Sequence, residues 1–149
     1  MSSVYSQLKT ARSVTLRYAR SFSVVCLMLL SQPVLAETLF VDQYKIEARI
    51  AITPEEQHKG LQGVQALGEN EGMLFIFIQK QKVCMWMKDV PIDLDVGFFD
   101  ESGRLIAVRQ MKAQTRNTHC SPQEIKWALE MPGGWFQKRK LREGAQLRY

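Results

Sequence analysis

Four ionisable residues crowd one short stretch of the chain, Lys88, Asp89, Asp93 and Asp95 within MKDVPIDLD. The stretch separates two apolar runs, so these side chains are expected around a turn, where a rigid scaffold presents loops that bind or react. Asp95 stands between Leu94 and Val96, and a carboxylate buried there needs a partner. Trp86, just upstream, adds an aromatic surface that can stack on a sugar or a peptide. The expected ligand-binding residues are therefore Trp86, Lys88, Asp89 and Asp95. The same groups would also serve as a structural Lys88–Asp95 ion pair holding the turn.

Two other chemistries are compatible with the residue types. Glu130 and Glu71 with Asp95 could form paired carboxylates of the kind that hydrolyse glycosides. On a strand, however, Glu130 shares a face with Lys126 and points away from Trp127 and Leu129, which places it in solvent. Cys84, Met85, Met87, His119 and Cys120 form a set of soft ligands that suits Cu(I), although methionines in an alternating apolar strand are ordinary core filling. Trp135 and Phe136 could join Trp86 in an aromatic platform, and Lys138, Arg139, Lys140 and Arg142 make a small basic patch. No phosphate loop, nucleophile elbow or zinc motif occurs, and His58 and His119 are the only histidines. Neither metal nor cofactor is expected, and a binding module is favoured over an enzyme.

These residues must be held by the elements around them. Met73 to Ile78 is a continuous apolar run of strand length, and Val83 to Met87 and Leu94 to Phe99 are similar, so all three read as neighbouring strands of one antiparallel meander. Leu105 to Met111 returns as a fourth strand after the turn at Asp100 to Gly103. Upstream, Leu39 to Val41 and Tyr44 to Ile52 read as strands, the second with the alternation of an edge strand. Thr53-Pro54-Glu55-Glu56 is a capping box that starts a helix ending at Gly60 or Gly63. Ser121 to Glu124 predicts one helical turn, Lys126 to Met131 a strand, Trp135 to Lys140 a short helix and Ala145 to Tyr149 a last short strand. The fold class is mainly β, a compact antiparallel β-sandwich or barrel-like domain with two or three short helices.

The chain of 149 residues carries 20 Lys and Arg against 15 Asp and Glu. Four of those cations, Lys9, Arg12, Arg17 and Arg20, lie within residues 1–36, which contain no acid. The remainder of the chain is nearly neutral, so no nucleic-acid partner is expected. A basic stretch, an apolar run from Phe22 to Leu30 and SQPVLA have the form of a secretory signal cleaved after Ala36. The apolar run is too short for a membrane span, so no stable span is expected after cleavage. The expected organisation is a cleaved signal over 1–36 and a single domain over 37–149, exported to the periplasm or secreted. An oxidising compartment makes a disulfide between the two remaining cysteines, Cys84 and Cys120, the expected fate of both thiols.

EGMLFIF, MWMKD, LDVGFFD and WALEMPGGWF, in this order and spacing, resemble the DUF192 family of bacterial and archaeal proteins. The resemblance spans roughly Tyr44 to Leu147 and implies a compact β-rich fold and frequent export, with no established activity. Gly60-Leu61, Glu71-Gly72-Met73, Trp86-Met87-Lys88, Asp95 and Asp100 fall on family positions. Asp89 replaces the usual Asn, Gln62 the usual Met and Val64 the usual Arg. The positions of Cys84 and Cys120 match a cysteine-bearing subgroup, which supports the disulfide. The expected function is binding of a small molecule or a polysaccharide. A carboxylate hydrolase using Asp95 and Glu130 and a periplasmic copper-handling protein are the alternatives.

Overall fold

The computed structural model describes residues 36–149. Apart from Ala36, the expected leader over residues 1–36 lies outside the described residues. The elements in chain order are β1 (Ala36–Val41), β2 (Tyr44–Ala51), α1 (Pro54–Lys59), β3 (Glu71–Gln81), β4 (Cys84–Met85), β5 (Leu94–Phe99), β6 (Leu105–Met111), β7 (His119–Cys120), β8 (Ile125–Pro132), α2 (Trp135–Lys138) and β9 (Leu147–Arg148). Seven strands form one curled sheet in the order β6-β5-β8-β3-β2-β1-β9, and β4 and β7 form a separate ribbon. The mainly β class read from the sequence holds.

Its connectivity differs from a meander. β8 lies between β3 and β5, and β4 leaves the main sheet to pair with β7. A run such as Val83 to Met87 has the same apolar content whether it lies within a sheet or across its face. Here Val83, Met87 and Val90 are buried against the sheet as a cover. β2 is interior rather than an edge strand, with β1 on one side and β3 on the other. Its alternation reports one wet face and carries no information about edges. The β2–β3 pair is also parallel, a departure from the expected antiparallel sheet. A parallel pair needs a crossover, and the segment carrying α1 supplies it.

α1 forms where the capping box predicts. Thr53 Oγ1 accepts the Glu56 N–H at 3.2 Å, and Glu56 Oε2 accepts those of Thr53 and Ile52 at 2.9 and 3.0 Å. These backbone donors hold the Glu56 carboxyl below its ordinary range. Gly60 ends the helix at φ 47°, a conformation glycine adopts without steric cost. The helical turn expected at Ser121 does not form. Its Oγ instead accepts the Val83 N–H at 3.1 Å and donates to the Gln123 carbonyl at 2.7 Å, tying the ribbon down.

Both faces of the sheet are buried. One carries Met73, Phe75, Val96, Phe98, Ala107 and Ala128 beneath Leu61, Val83 and Met87. The other carries Leu39, Ile46, Leu74, Leu129 and Met131 with Trp135 and Phe136 of α2. Close packing between strands makes Gly72 obligatory, because a Cβ there would overlap the Glu130 carbonyl and the Met131 sulfur. Backbone cannot move aside as a flexible side chain can. Gly72→Ala is expected to destabilise the protein by about 2 kcal/mol, read as a lowered urea midpoint. An unchanged midpoint would show that β3 and β8 can separate without cost.

Candidate functional site

Trp86 and Lys88 sit at the mouth of a narrow cleft on the α1 side of the sheet. Its walls are His58, Leu61 and Gln62 from α1 and the loop after it, and Met85 from β4; Phe75 and Glu130 are at its base. The cavity holds about 30 Å³, room for one water or one hydroxyl-sized group. Trp86 is 42% exposed, a large value for so apolar a side chain. Its ring meets the His58 ring edge-on at 6.4 Å between centroids, and Lys88 Nζ stands 5.9 Å from the indole centroid. Gln62 donates its amide N–H to the His58 carbonyl at 2.8 Å, which fixes one wall.

Glu130 is only 4% exposed. In register it faces Met73 on β3 and Val96 on β5, so its immediate strand neighbours are apolar. Burial alone pushes its carboxyl up to about 8, so it is predominantly protonated at neutral pH. A neutral carboxyl at the base of a cleft can both donate and accept a hydrogen bond. The expectation that Glu130 is solvated is therefore wrong. It does share a strand face with Lys126, but Lys126 lies at the uncovered end of β8, where its Nζ donates to the Ile78 carbonyl. Glu130 lies beneath the α1 cover. Its setting in WALEM was the sequence signal, since an acid in a strand covered on both faces has no wet side.

The structure separates the four expected ligand residues. Trp86 and Lys88 share the cleft. Asp89, at φ 59°, lies 3.9 Å from Lys88 Nζ and lines an adjoining hollow of about 380 Å³ with Gly63, Gln114 and Arg116. Asp95 is elsewhere. Alternation along β5 places it on the α2 face, buried, opposite Met131 and Gln110. Burial pushes its carboxyl up, partly offset by the N–H groups of Gly134, Phe136 and Trp135. Among the described residues its Oδ1 has no hydrogen-bond partner. The Lys88–Asp95 ion pair does not form, and Asp93 instead accepts from Lys112 Nζ at 2.6 Å and the Ala113 N–H at 2.8 Å.

Register separates the two carboxylates of one alternative, and a disulfide occupies the thiols of the other. Asp95 pairs with Met131 and Glu130 with Val96, so the two carboxylates point to opposite faces of the sheet and cannot share a substrate. Cys84 and Cys120 face each other across the β4–β7 ribbon and are joined in a disulfide, which leaves no thiolate for copper. Met87 is fully buried in the core, while Met85 faces His119 across the ribbon. Trp135 and Phe136 are each 1% exposed and form no platform. Of the basic patch, Arg139 is committed, lying 4.5 Å over Trp135 and 3.0 Å from Glu69, while Lys138, Lys140 and Arg142 are exposed.

The separate stretches GL at 60–61, EGMLF, MWMKD and WALEM each contribute a residue to the cleft, through Leu61, Phe75, Trp86 and Glu130. The model of the family DUF192, uncharacterized ACR, matches residues 37–149. Among solved structures, the fold resembles a protein of unknown function from Novosphingobium aromaticivorans DSM 12444. The TM-score is 0.74 at 22% identity, covering 76% of this chain and 85% of that one. It equally resembles a Sinorhizobium meliloti 1021 protein described as a "putative transcription regulator", at TM-score 0.74 and 21% identity, covering 76% and 92%. Both likenesses concern the fold. No curated protein matches the chain.

Proposed function

The chain belongs to the DUF192 family, and from that premise we propose that it is an exported binding module whose ligand, a small molecule or the end of a polysaccharide, seats on Trp86. One observation carries this reading: an exposed indole, near His58 and Lys88, opens onto a buried carboxyl that among the described residues has no ion-pair partner. Solvent exposure of a large aromatic beside polar groups favours recognition of a partly apolar, partly hydroxylated surface. The two carboxylates on opposite faces of the sheet favour binding over hydrolysis.

Two features support export to the periplasm or beyond. The Cys84–Cys120 disulfide is the kind of bond that persists in an oxidising compartment. The family match begins at Glu37, the residue at which the mature chain is proposed to start. Intact mass of the protein recovered from the cell envelope tests this, and a mass retaining residues 1–36 would overturn cleavage.

The binding reading is tested by NMR titration with a panel of mono- and oligosaccharides, following the Trp86 indole N–H. At least one saccharide is expected to shift it saturably, and Trp86→Ala is expected to weaken that ligand about tenfold or more. Shifts confined to residues outside the cleft, or no saturable shift at all, would overturn the site.

A further inference from the structure

We propose that the Trp86 cleft and the hollow beside it form one groove that selects an acidic polysaccharide, with a sugar hydroxyl of the ligand seated on Glu130. This rests on the binding reading above and names its ligand class. Lys88 lines both depressions, which therefore adjoin at its side chain. Lys59 lies at the α1 wall of the cleft and Arg116 in the hollow, which places three cations along one path. Among the described residues neither Lys59 nor Arg116 enters a salt bridge, and Lys88 meets only Asp89, at 3.9 Å. Against these three cations the groove sets one exposed carboxylate, Asp89, and a groove of net positive charge concentrates anionic ligands.

The deep end defines the rest of the ligand. A space of about 30 Å³ admits a hydroxyl but not a sugar ring, so the ring must remain outside, against Trp86. Glu130 at the base is held among Met73, Phe75 and Val96, without a compensating cation from β3 or β5. The charged or titratable groups facing it are His58 and Lys59 from α1 and Lys88 from the segment after β4, while Glu71 at the start of β3 accepts the Gly68 N–H instead. A protonated Glu130 tolerates a uronate carboxylate nearby and pairs with a neutral hydroxyl. Its ionisation adds a negative charge below an anionic ligand and removes the donor. Rising pH therefore releases the ligand.

The test uses three trimers of different charge, trigalacturonate, maltotriose and the fully deacetylated chitosan trimer, with a short single-stranded DNA as a fourth probe. Calorimetry gives the affinities, and the Trp86 indole N–H reports the site. Trigalacturonate is expected to bind about tenfold more tightly than maltotriose, to weaken with added salt, and to bind less tightly in the Lys88→Ala/Arg116→Ala double variant. Its affinity should fall about tenfold between about pH 7 and about pH 9 in the wild type and stay level in Glu130→Gln, which mimics the protonated acid. Equal or tighter binding of maltotriose, chitosan trimer or DNA would overturn the acidic-polysaccharide assignment. In the maltotriose case, a shifted Trp86 signal would leave the binding site itself standing. Parallel pH profiles for wild type and Glu130→Gln would overturn the role of Glu130. If none of the three saccharides moves the Trp86 signal, the acidic-polysaccharide assignment falls; the broader binding reading falls only if the whole saccharide panel is also silent.

Discussion

Glu130→Gln is expected to make the protein more stable at pH 8, by on the order of 4 kcal/mol. The unfolded carboxyl titrates near 4.5 and the folded one near 8, so between those values the folded state holds a proton that the unfolded state has released. Stability is fully present below the unfolded value and declines as pH rises toward the folded one, by about 1.4 kcal/mol for each pH unit. Glutamine has nearly the shape of the protonated acid and no proton to lose, so this decline disappears in the variant. Asp95 is also raised by burial and contributes a slope of the same sign, which the variant retains. Urea denaturation between about pH 5 and about pH 8 would show a falling wild-type curve and a much flatter variant curve. Curves that fall together would mean that Glu130 is ionised in the folded protein and that the cleft is wetter than its lining suggests.

Reduction of the Cys84–Cys120 disulfide is expected to have an effect of similar size and opposite sign. The bond spans a sequence separation of 36 residues, and on the chain-entropy model releasing such a loop costs about 4 kcal/mol. The local structure gives little to offset that loss. β4 and β7 have two residues each, and an isolated two-stranded ribbon is marginal in water. Once freed, the ribbon is held by Ser121, whose N–H donates to the Val83 carbonyl at 2.8 Å and whose Oγ accepts from Val83. Calorimetry of oxidised and reduced protein should show the melting temperature falling by about 15 °C. Because Trp86 follows Met85 directly, loss of ligand binding should accompany reduction even below the new melting point. A reduced protein that melts and binds like the oxidised one would show that core packing of Val83 and Met87 holds the segment by itself.

Elements whose signals are local were legible in the sequence. The capping box placed α1, and the turn at Asp100 to Gly103 joined β5 to β6. Each depends on neighbours within a few residues, and local hydrogen-bond chemistry is written directly in the order of residue types. The disulfide was legible for a different reason, since two cysteines remaining after a proposed export signal have few alternatives. Trp86 and Lys88 could be proposed as candidate site residues because an aromatic and a cation beside a turn retain their chemical meaning in almost any fold.

Strand order and partnership were not legible. Three apolar runs in succession describe a meander as well as they describe two sheet strands and a covering segment, because apolar content does not specify which backbone is adjacent. β8, distant in sequence, inserts between β3 and β5 and thereby buries Glu130 while directing Asp95 to the other face. From sequence alone came the β class, the helix start, the expected pairing of the cysteines and half of the candidate site. Tertiary structure alone decided which carboxylate joins Trp86 and Lys88. The physical reason is that adjacent strand residues point to opposite faces, and whether a face is wet or buried depends on elements far away in the chain.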